Sequence, residues 1–362
     1  MKLQSNKISF KGQNIYVGID VHLKTWSVTI LLKDSNYKKT FTQPASPKAL
    51  FEHLKKNYPG GIYHAVYESG FSGYSSCYEL RDLGVDCIIT HAADVPTSQK
   101  ERLSKTDAVD SAKLARSLSN GELKAVYLPP KDKLGDRELM RTRQTIMKDI
   151  CRVKCRIKHL LYTNGVTYPE PFAAYRSHWT RAFIKWLREE VTLLSGKRIA
   201  LDMMIEELEY YRKLLLRANR EIRILTKSEA YAEAYNRLIA IPGIGMITAM
   251  TILTEAVTPD RFTGLRRFIS YLGLVPTMDD SGENENAGEI TPRGNQKIRR
   301  MIVESTWTTI RYDREMASAF GKYCQRMKKN QAVIRVARKL ATRLWHVFKY
   351  GEDYKECQQV TS

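Results

Sequence analysis

The stretch KTDAVDSAKLA, Lys105 to Ala115, places Asp107 and Asp110 three residues apart in a segment with helical spacing. On a helix the two fall on one face, one turn apart. Carboxylates that close repel each other unless positive charge lies between them. Two further acids end strand-like runs: Asp20 closes YVGID, and Glu68 ends the strand in YHAVYES. If these first and fourth strands are neighbours, both acids lie at one end of the sheet. A later helix carrying Asp107 and Asp110 then closes over them. Four convergent carboxylates suit one or two Mg²⁺ ions, hard cations that prefer oxygen ligands. Two such ions, roughly 3.5–4 Å apart, clamp the attacking and leaving oxygens of a phosphoryl transfer. The substrate expected from this chemistry is a phosphodiester. Neither pair means much alone, because strands often end in Asp and a D-x-x-D helix is often just solvated. The conjunction carries the reading.

The elements that would position these acids are legible. From Ile15, IYVGIDVHLKTWSVTILLKDSNYKKTFTQ reads as three strands joined by tight turns, rich in Val, Ile, Thr and Tyr. SPKALFEHLKKNY predicts a helix with Ser46 as N-cap and Pro47 in its first turn. GIYHAVYES is a strand, SGYSSCYELRDLG a helix closed by Gly84, VDCIITHA a strand, and a helix spans about 106–119. The order βββαβαβα argues for a mixed sheet with helices packed on it, an α/β domain of the RNase H-like nuclease type.

From about 136 to 226 the pattern changes. Ile146, Ile150, Val153, Ile157 and Leu160 repeat at alternating fours and threes. So do Leu201, Met204, Leu208, Tyr211, Leu215, Ala218, Ile222 and Leu225. The seam predicts antiparallel coiled-coil helices, with an ordinary helical bundle core as the equal alternative. Between them, TNGVTYPEPFAAYRSHW holds Gly and Pro breakers, and its role is not readable. The expected domains are 1–130 for the nuclease-like sheet, 131–228 for the coiled-coil and dimerisation segment, and 229–362 for a mostly α-helical C-terminal part.

In that last part, Pro242-Gly243-Ile244-Gly245 separates two apolar helical runs, the pattern of a helix-hairpin-helix. Its glycines permit a tight turn, and N–H groups at the following helix can bind a phosphate. The alternative is an αα turn with no ligand. Further on, TMDDSGENENAGEITPRGNQKIRR reads as a polar, flexible loop between firm helices. It holds Ser281 beside Gly282, then Arg293, Asn295, Lys297, Arg299 and Arg300 as candidate phosphate contacts. A serine beside glycine can be exposed to substrate, but its hydroxyl needs activation to attack. On these residues alone, a turn-capping role for Ser281 is the stronger reading. The end, AVIRVARKLATRLWHVFKY, is a basic amphipathic helix.

Composition sets the partners. The 362 residues are 43% hydrophobic, which suits a globular protein rather than a disordered one. Fifty-nine Lys and Arg against 39 Asp and Glu give a net charge of +20, so a polyanionic partner is expected, nucleic acid before a membrane surface. No apolar run is long enough to span a bilayer. The first residues, MKLQSNKISFKGQN, lack the apolar core of a signal peptide, and a cytoplasmic location is expected. Six cysteines form no CxxC pair, so a zinc site is not expected.

Taken together, the chain resembles the IS110/IS1111 family of insertion-sequence transposases over nearly its whole length. The N-terminal part resembles that family's RuvC-like DEDD domain, with its acids at Asp20 in GIDVH, Glu68 in YES, and Asp107 and Asp110 in KTDAVDSAKLA. The C-terminal part carries IPGIGMITAMTILTE, RFISYLGLVP, DSG and RGNQKIRR in the family's order. The resemblance implies that Ser281, in the loop after GLVP, is a nucleophile forming a covalent phosphoserine link to DNA. It implies Mg²⁺ at the DEDD acids, a coiled coil between the domains, and a homodimer or tetramer acting on donor and target DNA near the nucleoid. A structured non-coding bridge RNA would supply sequence choice by base pairing. The chain departs from many relatives in its acidic loop, where Asp279 and Asp280 precede Ser281; Ser305 and Ser270 are the fallback hydroxyls. Two other functions remain open at this stage. One is a Holliday-junction-type, metal-dependent nuclease that activates water without a covalent intermediate. The other is a non-catalytic nucleic-acid-binding scaffold.

Overall fold

The computed structural model describes residues 10–33, 35, 37–99, 106–281, 284–291 and 293–354, with the backbone alone over 276–281 and 284–290. Two compact units divide between Leu128 and Pro129.

The first unit is built on a five-stranded mixed sheet. Its strands are β1 Asn14–Val21, β2 Thr25–Leu32, β3 Tyr37–Pro44, β4 Ile62–Glu68 and β5 Asp86–Thr90. Their spatial order is β3-β2-β1-β4-β5. The first three pair antiparallel, while β1, β4 and β5 run parallel, so the first and fourth strands are neighbours as expected. Among the described residues, three α-helices accompany the sheet: α1 Pro47–Asn57, α2 Ser75–Asp82 and α3 Asp107–Ser119. Ser46 caps α1, accepting from the Ala49 N–H, and Pro47 opens it. Ile15, Val17 and Ile19 of β1 and Val28 and Ile30 of β2 are fully buried in the core.

Gly18 decides where α3 lies. A Cβ there would fall 2.0 Å from the Ser111 carbonyl oxygen and 2.4 Å from the Ala115 nitrogen, so helix backbone rests directly on strand backbone. Ser111 secures the contact by hydrogen bonding to the Thr29 hydroxyl at 2.8 Å. At the far end, the Lys33 ammonium donates to the Ser119 carbonyl.

The second unit is helical. Two 31-residue helices, α4 Lys133–Thr163 and α6 Ser195–Leu225, each about 46 Å long, pack side by side. Arg143 bonds to Asn219, and Arg156 to Glu207, so the helices are antiparallel. Their buried seam differs from the expected one by a residue in places: Leu161 and Ile205 are fully buried where Leu160 and Met204 are only partly so. The cause is a third helix, α5 Arg181–Glu189, whose Phe183, Ile184, Trp186 and Leu187 join the same core. The unreadable connecting segment therefore completes a three-helix cluster, with Tyr168, Phe172 and His178 packed around Phe183.

The rest comprises α7 Ala232–Ile239, α8 Met246–Ala256, α9 Leu265–Leu272, a hairpin of β6 Pro276–Ser281 and β7 Asn284–Ile290, α10 Gln296–Tyr312, α11 Arg314–Cys324 and α12 Lys329–Tyr350. The hairpin corrects the expected flexible loop. Neither PTMDDS nor NENAGEI alternates apolar and polar residues, so its strands form by mutual backbone pairing without the usual sequence signal. The basic face expected of α12 is also incomplete: Arg343 is 1% exposed and turns inward to Asp313, Glu315 and Tyr354. Among the described residues, no helix is long and apolar enough to cross a membrane.

Gly18→Ala should lower stability by roughly 1–3 kcal/mol, the usual cost of overpacking a site whose neighbour cannot move aside. Urea denaturation would read it as a lower midpoint; an unchanged midpoint would mean α3 does not rest on β1 at Gly18.

Candidate functional site

Ile19 on β1 stands opposite Tyr67 on β4. The next residues, Asp20 and Glu68, thus lie side by side at the carboxyl ends of parallel strands, where open α/β sheets place their sites. The first turn of α3 supplies Asp107 and Asp110. Thr106 caps that turn by accepting from the Val109 N–H, and the helix dipole favours acids there.

The four predicted acids gather at one sheet end as two bridged pairs. His22 Nε2 sits 3.3 Å from Asp20 Oδ2 and 3.1 Å from Asp107 Oδ2. Lys113 Nζ sits 2.9 Å from Asp110 Oδ1 and 3.7 Å from Glu68 Oε1. Asp20, His22 and Asp107 form the one group of metal-ligand type among the described residues, with ligand atoms within 4.8 Å of one another. Burial pushes the Asp20 carboxyl up; His22 pulls it down, Asp107 and Asp110 push it further up, and the net shift is upward. The two carboxylates suit a hard cation such as Mg²⁺ or Mn²⁺, while the imidazole is a ligand preferred by softer ions. A cation there would relieve the repulsion that raises Asp20.

His22 and Lys113 were not singled out from sequence. The signals were local: His22 follows Asp20 by two, on the same side of an extended chain. Lys113 follows Asp110 by three on a helix.

The candidate phosphate contacts of the second unit divide. Gly243, at φ +91°, serves packing: its Cβ would meet the Ser305 carbonyl at 2.5 Å, and the Pro242 carbonyl accepts from Thr309 at 2.7 Å. Gly245 is the N-cap of α8, with open space beside it. Asn295 caps α10, accepting from the Lys297 and Ile298 N–H groups, and donates to the Tyr271 hydroxyl and Glu255. Its amide is spent on structure. Arg299 is half-buried and donates to the Gly273 and Thr291 carbonyls. Arg293, Lys297 and Arg300 are exposed. Ser281 ends β6, paired with Asn284 at the closing end of the hairpin. Ser305 is buried against Thr248, whereas Ser270 is exposed on α9.

Beneath this region lies Glu255, 2% exposed, held by a two-pronged bond from Arg141 and another from Arg137. Burial pushes its carboxyl up, but Arg141 and Arg137 outweigh it and hold it below the usual range.

A transposase model of the IS110 DEDD type matches residues 17–164, and the model of the IS116/IS110/IS902 transposase family matches 235–321. The y4qE protein of Sinorhizobium fredii, a transposase by name, is 30% identical over 72% of this chain and 60% of its own length. The transposase of insertion sequence IS1533 from Leptospira borgpetersenii is 26% identical over 82% of this chain and 85% of its own. That of IS1111A from Coxiella burnetii is 22% identical over 70% and 69%.

Glu255→Gln should destabilise the protein by about 3–5 kcal/mol at pH 7, because two guanidinium groups lose their partner. A carboxylate depressed below its unfolded value of about 4.3 stabilises above that pH, and the benefit is lost as pH falls through the folded value. The difference between wild type and variant in denaturant melts should therefore be full at pH 7 and shrink below about pH 4; a gap independent of pH would contradict the ion pairing.

Proposed function

Because this chain belongs to the IS110 family of insertion-sequence transposases, we propose that it cuts and rejoins DNA strands, using its RuvC-like acid cluster and the serine at the hairpin end. The observation that carries the reading is the gathering of Asp20, Glu68, Asp107 and Asp110 at the carboxyl ends of β1 and β4. Asp20 and Asp107 supply the oxygen ligands for Mg²⁺, with Glu68 and Asp110 alongside. When bound, the ion polarises a phosphodiester oxygen and stabilises the charge that develops on it. Ser281 is the proposed nucleophile. Its Oγ bonds to phosphorus, the scissile P–O bond breaks, and a free hydroxyl end remains; resealing reverses the exchange. A covalent link conserves the phosphodiester energy, which suits rejoining as well as cutting.

The charge of +20 supports close contact with donor and target DNA. Exposed Arg293, Lys297 and Arg300 are the proposed backbone contacts next to the hairpin, reading phosphate rather than sequence. Sequence choice is assigned to a structured RNA encoded by the element, and the working form to a dimer or tetramer.

The test traps the intermediate. The chain is incubated with DNA of its own element ends, the flanking non-coding RNA and Mg²⁺, then denatured and examined for a DNA-linked band. The band should vanish in Ser281→Ala, persist in Ser270→Ala, and be lost in Asp107→Asn without unfolding. Mg²⁺-dependent cleavage with no band would instead mark a nuclease that activates water.

A further inference from the structure

The two halves of the acid cluster are not equivalent. At the Asp20–Asp107 half the bridging group is His22, 48% exposed, and Asp107 is 64% exposed. An imidazole there can swing into solvent, or turn a nitrogen toward an arriving ion and ligate it. At the Glu68–Asp110 half the bridging group is an ammonium whose side chain is only 9% exposed. Its backbone is held by the contacts on either side of it. Lys113 precedes the buried Leu114 and Ala115, and the helix is held by Ser111 on Thr29 and by the backbone contact at Gly18.

We infer that Lys113 is a built-in cation occupying the Glu68–Asp110 position, so that this site takes a single divalent ion, at Asp20 and Asp107. The inference rests on the metal-assisted reading above and specifies its stoichiometry. Three arguments carry it. The ammonium already makes a direct ion pair at 2.9 Å and a second carboxylate contact at 3.7 Å, so half of the charge a second ion would meet is already offset. A divalent ion placed beside it would face like charge in a partly desolvated site. Displacing the lysine would strand a buried charge without a partner. Lys113 is on this account a positioning residue: it holds Glu68 and Asp110 in place and lets the first turn of α3 approach the sheet end despite four carboxylates.

The experiment counts ions, independently of activity. Mn²⁺, visible by electron paramagnetic resonance, is titrated into the full chain, and the sites are those lost in the quadruple variant Asp20→Asn, Glu68→Gln, Asp107→Asn, Asp110→Asn. One ion is expected in the wild type, one in Lys113→Arg, and two in Lys113→Met, whose side chain keeps the length without the charge. Two ions in the wild type would overturn the role of Lys113 while leaving the metal-assisted reading intact. A single ion in a folded Lys113→Met would also overturn it, since the charge would not be what excludes the second. No difference between wild type and the quadruple variant would overturn the metal reading and the inference with it. Should Lys113→Met fail to fold, the wild-type and Lys113→Arg counts still decide.

Discussion

A helix backbone lying directly on a strand backbone is the constraint from which the acid cluster follows. At Gly18 there is no room for even one carbon between β1 and α3. That contact sets the height of α3 above the sheet, and Ser111 and Lys33 hold it from sliding. Once height and position along the axis are set, the first turn has one place to go. It arrives where β1 and β4 end, and Asp107 and Asp110 meet Asp20 and Glu68. An alanine at Gly18 would move the helix, and with it half of the candidate ligands.

Charge in this chain works inward as well as outward. A net charge of +20 invites a picture of basic residues spread over the surface for nucleic acid. Several of them instead neutralise acids within the fold. Lys113 lies between Glu68 and Asp110, Arg137 and Arg141 hold Glu255, and Arg343 is enclosed with Asp313 and Tyr354. Burial pushes Asp313 up as it does Glu255, yet the Tyr354 hydroxyl, the Met316 N–H and Arg343 together hold it below its ordinary range. Such pairs are sensitive to loss of one member. They tie distant segments: Glu255 on α8 is joined to α4 and, through Asn295, to the start of α10. The base of the β6–β7 hairpin is fastened nearby, by the Thr291–Val275 backbone bond and by Arg299 on the Thr291 carbonyl. The hairpin that ends in Ser281 therefore rises from a rigid, charge-satisfied base.

The parts that resisted reading did so for separate physical reasons. The hairpin carries no periodicity, because strands stabilised by pairing with each other need no apolar face. The aromatic cluster around Phe183 comes from a segment whose Gly and Pro residues read as breakers; its helix is short, and its place is set by burial against α4 and α6. Asn295 reads as a polar contact residue in a basic run, but its side-chain oxygen accepts from the Lys297 and Ile298 N–H groups just after it, so it is a helix cap.

The sequence by itself determined the element types of the first unit, their order, the capped start of α1, and which acids stand at element ends. These are local properties, set by side-chain spacing, by Ser46 and by Pro47. It also carried the family resemblance, through motifs that are themselves local. Only the tertiary structure decided how the acids are neutralised: His22 between Asp20 and Asp107, Lys113 between Glu68 and Asp110. That choice depends on which strands are neighbours and how low one helix sits, and both are settled by contacts between residues some ninety positions apart, Gly18 and Ser111 above all.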